Sequence, residues 1–207
     1  MPDPNATSRP EAANSYVVAT FNRHKAAELH ALLALPGVTL VPLADWPGAT
    51  SPVEDGHTLL DNARIKARAA VATTGLPAIA DDTGLEVDAL RGAPGVHAAR
   101  YAGPEATYAD NVAKLLRELA GVPAAQRTAR FRTVCVAFWP DGRERSAEGV
   151  LEGVIVEAPR GTNGFGYDPV FVPAGETRTY AELTDAEKNA ISHRARAVRA
   201  LAEQLSN

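Results

Sequence analysis

The sequence has one cysteine, few aromatic residues and no long apolar run. Its 207 residues include a single Cys, two Trp, five Tyr and five Phe. The lone Cys135 excludes an internal disulfide framework and a zinc site made of cysteines. Because Cys135 lies in the apolar run 133–139, we expect a buried, unreactive thiol. No apolar stretch is long enough to span a bilayer.

An excess of positive charge is also missing. The formal net charge is -4 and the pI is about 5.7, which argues against a general binder of nucleic acids or acidic membranes. Residues 1–15 are rich in Pro, Asn, Ser and Ala and lack the hydrophobic core of an export signal. We interpret them as a flexible tail on a cytosolic protein. Residues 16–207, in a chain that is 45% hydrophobic, are predicted to form one domain, with room for two lobes.

Strand and helix patterns alternate along this domain. We predict strands at 16–20, 38–43, 77–80, 129–139 and 144–156, and helices at about 25–35, 58–73 and 107–120. Asn22 and Thr58 are suitable N-caps for the first two helices. Asp141-Gly142 is a strong hairpin signal between the last two strands, which we expect to extend the sheet as an antiparallel pair.

The chain is organised around residues 77–90. The apolar run 77–80 predicts a buried strand that stops at Asp81 and Asp82, after which Thr83-Gly84 turns the chain into a second apolar run. Two adjacent carboxylates at the end of a buried strand need a cation or strong donors, and ligands bind at strand ends in open α/β sheets. The alternative is an aspartate-capped turn, for which Asp-Asp-Thr-Gly has suitable chemistry. This stretch alone leaves a metal site and a turn equally open.

The junction between the first strand and its helix carries Thr20, Asn22 and Lys25. Backbone N–H groups and the helix dipole converge at such a junction, and the lysine adds a full positive charge, so the arrangement suits an anion. The alternative is an ordinary capped helix with a solvated lysine, and this segment alone favours that alternative.

A second candidate cation lies on the next helix. Lys66 follows Asn62 by four residues, so both lie on one helix face. A lysine on a helix is usually solvated surface. Lys66 is a candidate ligand because of Asn62 and because the preceding loop carries the acidic pair Glu54-Asp55.

The segment 159–169 is a glycine-rich loop with two aromatic residues, Phe165 and Tyr167. Its glycines let the backbone approach a ligand closely, while either aromatic ring offers a stacking face. The alternative is a tight loop whose aromatic residues cover the core.

The last candidates lie near the C-terminus. Lys188 and His193 are five residues apart, so a continuous α-helix would not present them on one face. Either the helix restarts near Ser192, or the two groups serve different ends of a ligand.

These candidate residues fall into three chemical sets. Oxygen ligands for a hard cation such as Mg²⁺ come from Glu54, Asp81 and Asp82. Positive charges suited to phosphates come from Lys25, Lys66 and Lys188. Stacking and hydrogen bonds to a planar heterocycle come from Phe165, Tyr167, Asp168, His193 and Arg194. Together, metal, polyphosphate and base describe a nucleoside triphosphate.

Six stretches of the chain carry a family resemblance. They are ATFNRHK (19–25), EDG (54–56) with DNARIKA (61–67), ADDTGLEVD (80–88), GAPG (92–95) with ARYAG (99–103), GFGYDP (164–169) and KNAISHR (188–194). In this order, from about Tyr16 to the end, the chain resembles the inosine/xanthosine triphosphate pyrophosphatases, which hydrolyse noncanonical purine nucleotides. The resemblance implies an α/β fold with a long twisted mixed sheet flanked by helices, two lobes with a nucleotide cleft between them, and a homodimer.

The resemblance also implies residue roles. Mg²⁺ would be held by Glu54 and Asp82, and Asp82 would be the catalytic base that activates water. The phosphates would be met by Thr20, Asn22 and Lys25, assisted by Lys66, and Thr83 would touch the substrate. The nucleoside and its phosphates would be held by Phe165, Gly166, Tyr167, Asp168, Lys188, His193 and Arg194. The implied reaction converts ITP, dITP or XTP to the monophosphate and pyrophosphate.

The sequence departs from the family pattern at two places. Thr83 stands where serine is usual, which keeps the hydroxyl, and His97-Ala98 stands where tyrosine-serine is frequent. Two other classes of function compete with the pyrophosphatase. A phosphotransferase would use the same metal and lysines, although no Walker or kinase signature is present. A nucleotide-binding regulator would keep the base pocket but have little need for Asp82 beside Glu54.

Overall fold

The computed structural model describes residues 15–33 and 37–206. Most of the predicted tail (1–14) and the end of the predicted first helix (34–35) lie outside the described residues, while Ser15 begins the first strand. The strands are β1 (Ser15–Val18), β2 (Thr39–Pro42), β3 (Ala78–Val87), β4 (Pro94–Gly95), β5 (Thr128–Phe138), β6 (Glu144–Ile155) and β7 (Phe171–Pro173). The helices are α1 (Arg23–Leu32), α2 (Leu59–Thr74), α3 (Tyr108–Glu118), α4 (Asp185–Ile191) and α5 (His193–Leu205).

The strands form one mixed sheet. Their order within the described residues is β2-β1-β3-β5-β6-β7, with β4 paired to β3. β1 is parallel to both β2 and β3, whereas β3–β5, β5–β6 and β6–β7 are antiparallel. The predicted hairpin is formed by β5 and β6, and β3, β5 and β6 are long, with 10, 11 and 12 residues. The expected α/β fold with a long mixed sheet is confirmed.

Helices cover both faces of the sheet. On one face, alanines of α2 such as Ala67 pack against Ala80 of β3. On the other face, Leu29 of α1 and Leu201 of α5 pack against Ile79. The small α2 side chains let that helix lie close to the sheet, and a capping box at Thr58 starts the helix as predicted.

A third apolar cluster fills the far end of the long strands. It joins Leu85 of β3 and Phe131 of β5 to Leu115 of α3. The polar residues 81–83 of β3 therefore lie between this cluster and the two that surround Ile79 and Ala80. The division of residues 16–207 into two lobes stays a prediction.

The path of β3 contradicts the predicted turn at residues 81–84. The strand continues through both aspartates and pairs with β5 from Ala78 to Val87. Successive strand residues point to opposite faces, so Asp81 meets α1 and α5 while Asp82 meets α2. Cations on these helices stabilise the carboxylates inside the sheet. Gly84 permits close pairing with β4, since a Cβ there would lie 2.7 Å from the carbonyl oxygen of Gly95. The turn prediction was wrong.

Ser192 separates α4 from α5. It ends α4, and its Oγ accepts a hydrogen bond from the N–H of Ala195 at 3.0 Å, which caps α5. The prediction that the helix restarts near Ser192 is confirmed, and the restart places His193 and Arg194 in the first turn of α5. In residues 15–33 and 37–206, none of the helices has the length and apolar character of a membrane span.

Candidate active site

A cavity of about 240 Å³ opens where the middle of β3 meets the first turns of α1 and α5. Its lining brings together every residue that the family resemblance implies for the site: Thr20, Asn22, Lys25, Glu54, Lys66, Asp82, Thr83, Phe165, Gly166, Tyr167, Asp168, Lys188, His193 and Arg194. Asp81, the remaining member of the acidic set, is fully buried on the other face of β3. Residues that are far apart in the sequence thus share one cavity.

Lys66 joins the two candidate metal ligands. Its ammonium donates to Glu54 Oε2 at 3.0 Å and to Asp82 Oδ1 at 2.9 Å. Asn62, on the same face of α2, donates from Nδ2 to Asp82 Oδ2 at 3.3 Å and accepts the N–H of Gly56 at 2.9 Å. Burial opposes the charge on Lys66, but the carboxylates around it, Asp82 foremost, outweigh burial and raise the pKa of Lys66. Lys66 is therefore a buried, ion-paired lysine and not solvated surface, and its role as a substrate ligand stays a prediction.

Glu54 and Asp82 direct carboxylate oxygens at one point in the cavity wall. Both oxygens lie within 3.0 Å of the same ammonium. Mg²⁺ is commonly bound by one or two carboxylates together with waters and substrate phosphates. Over the described ranges, no group of three or more His, Cys, Asp or Glu could hold a metal ion. A pair of carboxylates in the wall of an open cavity fits Mg²⁺, whereas a closed site made only of protein ligands is not formed by these residues.

Asp81 neutralises cations on the opposite face of β3. Its Oδ2 accepts hydrogen bonds from Nε and Nη2 of Arg194 at 3.2 and 3.1 Å and lies 3.6 Å from Nζ of Lys25. Arg194 Nη2 also donates to Thr83 Oγ1 at 3.1 Å. Burial alone would raise the pKa of Asp81, but Lys25 and Arg194 outweigh burial and hold that pKa far below its usual value. Asp81 therefore fixes the positions of two cations of the cavity wall.

Glu28 is a buried ion-pair partner that the sequence analysis missed. Its Oε1 accepts a hydrogen bond from Lys188 Nζ at 2.9 Å, and its Oε2 accepts one from Arg194 Nη1. Lys188 Nζ also donates to Asp168 Oδ2 at 2.6 Å. The sequence did contain an indication that Glu28 lies near the site. Glu28 follows Lys25 by three residues on α1, and residues with this spacing share a helix face. Glu28 stands behind the cavity wall and holds Lys188 and Arg194 in place.

Asn22 caps α1 and reaches across to α3. Its Oδ1 accepts the backbone N–H groups of His24 and Lys25 at 3.0 and 3.2 Å, which confirms the predicted cap. Thr20 Oγ1 accepts the N–H of Asn22 at 3.1 Å, and Asn22 Nδ2 donates to the hydroxyl of Tyr108 at 3.0 Å. Tyr108, which the sequence analysis missed, fixes the orientation of the Asn22 amide at the N-terminus of α1.

The two aromatic residues of the glycine-rich loop have different environments. Phe165 stacks on His24 with ring centroids 5.2 Å apart and lies tilted against Tyr108 at 5.9 Å. Tyr167 belongs to the third apolar cluster and donates its hydroxyl to the carbonyl of Ala98 at 2.9 Å. The alternative in which the aromatic residues cover the core thus describes Tyr167. Phe165 is the ring that remains partly exposed beside the cavity.

Asp168 holds the loop that carries Phe165. Its Oδ2 accepts the N–H of Phe165 at 2.9 Å as well as the ammonium of Lys188. Gly164 has a φ of 74°, and a Cβ at this position would lie 2.1 Å from that same carboxylate oxygen. Only glycine satisfies both conditions, so the sequence signal of a glycine beside an aromatic residue does reflect a close approach.

His193 is an uncharged imidazole at the base of the cavity. It stacks on Phe131 with ring centroids 4.6 Å apart, and it is 3% exposed. Burial lowers the pKa of His193 well below its ordinary value, and Arg194 and Lys188 lower it further. A neutral imidazole offers one donor and one acceptor. His193 can therefore form hydrogen bonds with a base without adding charge.

Arg100 is a further cation of the cavity lining that the sequence analysis left without a role. It lies in the loop after β4, and its Nη2 donates to the backbone oxygen of Glu54 at 3.1 Å. The match of the ARYAG stretch to the family pattern was a signal for Arg100, although no chemistry was attached to it. Arg100 thus connects this loop to the loop that carries a candidate metal ligand.

Comparisons with known proteins match nearly the whole of the described chain. A profile of the Ham1 family matches residues 16–204. The dITP/XTP pyrophosphatase of Geobacillus kaustophilus is 51% identical over 188 residues, which cover 91% of this chain and 92% of that protein. The corresponding protein of Lactiplantibacillus plantarum is 51% identical, with 89% and 91% covered.

Solved structures are also similar to this chain over nearly its whole length. A HAM1 protein from Coxiella burnetii superposes with a TM-score of 0.84 at 42% identity, covering 93% of this chain and 98% of that one. A nucleoside-triphosphatase, or dITP/XTP pyrophosphatase, from Mycobacterium abscessus gives a TM-score of 0.73 at 47% identity, with 92% and 99% covered. The similarity therefore extends over the sheet and over all six stretches that line or surround the cavity.

Proposed function

This chain belongs to the Ham1 family, and we propose that it hydrolyses the noncanonical purine nucleotides dITP, ITP and XTP to the nucleoside monophosphate and pyrophosphate. The observation that carries the proposal is the cavity in which a carboxylate pair and several buried cations meet beside a partly exposed aromatic ring. The names of the curated relatives support the choice of substrate. Hydrolysis of a phosphoric anhydride requires the functions that such a cavity offers: charge neutralisation and a positioned base.

Asp82 is the proposed base. Its two oxygens are held by separate donors, Lys66 at 2.9 Å and Asn62 at 3.3 Å. These two donors fix the orientation of the carboxylate on the cavity side of β3. A fixed carboxylate at the wall can orient a water molecule and accept its proton as the water attacks phosphorus.

Glu54 and Asp82 are the proposed Mg²⁺ ligands. When bound, the ion would neutralise charge on the phosphate oxygens as a Lewis acid. Lys66 already balances both carboxylates, so it keeps them close together and directed at one point. The donor set also suits Mn²⁺, and a comparison of the two ions in the assay below identifies the working one.

The cations and the aromatic loop are proposed to contact different parts of the substrate. Lys25 and the capped N-terminus of α1 are suited to the phosphates that leave as pyrophosphate. Phe165 offers a stacking face for the purine. Arg194 and the neutral His193 would donate hydrogen bonds to the oxygen at C6, where adenine carries an amino donor instead. Sites of this kind reject the wrong partner by as much as roughly 10⁴–10⁵-fold, so ATP is expected to be a poor substrate.

Two further properties stay predictions. One is the homodimer implied by the family resemblance, which sedimentation of the purified protein would test. The other is the cytosolic location inferred from the composition of residues 1–15, which fractionation of cells that express the chain would test.

A substrate panel tests the proposed function. Purified protein is incubated with Mg²⁺, or in a parallel series with Mn²⁺, and with dITP, ITP, XTP, GTP or ATP, and pyrophosphate and orthophosphate are measured separately. The proposal requires pyrophosphate release from dITP, ITP and XTP without an added acceptor, and little turnover of ATP. Orthophosphate as the product, or equal turnover of ATP, would contradict it. A need for an acceptor would favour the phosphotransferase, and no turnover at all would favour the binding regulator.

Isotope labelling identifies the phosphorus that is attacked. In ¹⁸O-labelled water, attack at the α-phosphorus places the label in the monophosphate and none in pyrophosphate. Label in pyrophosphate would mean attack at the β-phosphorus, which would refute the proposed position of the Asp82 water even if the substrates are correct.

A further inference from the structure

Arg100 differs from the other cations of the cavity in its ionic partners. The one hydrogen bond of its side chain within residues 15–33 and 37–206 goes from Nη2 to a neutral acceptor, the backbone oxygen of Glu54. In the same part of the chain, no carboxylate lies within ion-pair distance of its guanidinium. Arg100 is nevertheless part of the cavity lining and is only half-exposed.

Each of the other four cations in the lining is paired with at least one carboxylate. Lys25 lies 3.6 Å from Asp81, and Lys66 contacts Glu54 and Asp82. Lys188 contacts Glu28 and Asp168, and Arg194 contacts Glu28 and Asp81. Five carboxylates thus face these four cations, so this group of side chains carries no net positive charge, although individual members such as Lys25 can still contact a phosphate. Arg100 supplies a positive charge that no carboxylate of the described chain offsets.

The geometry of the Arg100 guanidinium also suits a phosphate group. It has five N–H donors in a planar fork, and the bond to Glu54 uses one of them. That bond holds the side chain beside the loop of a candidate metal ligand and leaves Nε and Nη1 free of partners in the described part of the chain. Such a fork matches two oxygens of a phosphate group.

We propose that Arg100 is a direct polyphosphate ligand, which binds phosphate oxygens of the substrate through its free guanidinium N–H groups. The inference rests on the proposed function, since it assumes a nucleoside triphosphate in this cavity. It assigns to Arg100 a role distinct from that of the lysines. They hold carboxylates in place and share their charge with them, whereas Arg100 has its charge available for the ligand.

Binding of inorganic tripolyphosphate in the absence of metal tests the inference. Tripolyphosphate has no base and the measurement requires no hydrolysis, so the result is independent of the substrate panel. Isothermal titration calorimetry compares the wild type with R100Q, and with R91Q as the matched control. Arg91 is an exposed arginine just before β4 and outside the cavity lining, and within residues 15–33 and 37–206 its side chain forms no hydrogen bond or ion pair. A charge-assisted hydrogen bond to phosphate predicts about ten- to hundredfold weaker binding by R100Q and unchanged binding by R91Q.

The conservative variant R100K separates a ligand from a purely structural residue. Lysine keeps the charge but loses the fork, so we expect binding roughly fivefold weaker or more, with an unchanged melting temperature. R100K also decides the question if R100Q does not fold. Wild-type affinity for tripolyphosphate in R100Q or in R100K would overturn the proposal. Arg100 would then act only by holding the Glu54 loop, whether or not the protein hydrolyses dITP.

Discussion

Replacing Glu28 with glutamine removes one negative charge from between two buried cations. Glutamine keeps the size of the side chain and can still form hydrogen bonds, so the change isolates the charge. Lys188 and Arg194, the partners of Glu28, have side chains that are 5% and 2% exposed, whereas Glu28 itself is 16% exposed. Both cations would lose part of their compensation in a site from which water is largely excluded.

The expected loss of stability is large for a single substitution. Breaking a buried ion pair by removing one partner costs about 3–5 kcal/mol. The partial exposure of Glu28 screens its charge, so we expect the lower end, about 3 kcal/mol at neutral pH. For a protein of this size, that corresponds to a fall in melting temperature of roughly 6–12 °C. Urea denaturation and thermal melting of wild type and variant measure the difference, with Glu157→Gln, an exposed position, as the control.

The pH dependence of this difference provides a second check. Burial alone would raise the pKa of Glu28, but Arg194 and Lys188 outweigh burial and lower that pKa below the ordinary value of 4.5. A carboxyl with a lowered pKa stabilises the fold above its unfolded pKa, and the contribution disappears as pH falls through the folded pKa. The gap between wild type and Glu28→Gln should therefore narrow below about pH 4.5. A loss no larger than that of Glu157→Gln, or a gap that widens in acid, would refute the assigned role.

Three further substitutions test the site. Asp82→Asn should lower kcat by roughly 10²–10⁴-fold, as expected for loss of a general base, and near-normal turnover would remove Asp82 from the mechanism. His193 stays neutral when folded but takes up a proton when unfolded, so wild-type stability should fall below about pH 6.5 by up to about 1.4 kcal/mol per pH unit. His193→Asn should flatten that slope in urea titrations, while the exposed His30→Asn should not; equal slopes would contradict the burial of a neutral imidazole. Tyr108→Phe removes the acceptor for the Asn22 amide and should raise KM for dITP by roughly two- to tenfold with kcat unchanged; an unchanged KM would show that the contact does not position Asn22.

Local patterns predicted the regular elements because the relevant forces act over a few residues. The Asp141-Gly142 signal correctly predicted the β5–β6 hairpin, and the capping residues Asn22 and Thr58 marked the starts of α1 and α2. Predicting which residues share the cavity needed more than periodicity. It followed from chemical complementarity to a nucleotide and from the order of six stretches that resemble one family.

The wrong turn prediction at residues 81–84 and the missed role of Glu28 both involve interactions between residues far apart in the chain. Asp81 and Asp82 looked like the end of a strand because local sequence does not show their partners. The Arg194 that stabilises Asp81 is 113 residues away, and the Lys66 that stabilises Asp82 is 16 residues away. Glu28 was missed for the same reason, since Lys188 follows it by 160 residues. Turn chemistry and buried ion pairing use the same residue types, and only the fold distinguishes them.

The unbroken course of β3 limits which changes of chain length the protein can accept. Inserting or deleting one residue just before Asp81 would exchange the faces of the two aspartates. Asp82 would then meet Arg194, Asp81 would meet Lys66, and the neighbouring apolar side chains would change faces with them. Two inserted residues would restore the faces but displace both carboxylates along the strand by about 7 Å. Among homologues, length variation should therefore fall in the loops around β3 and be absent between Ala78 and Val87.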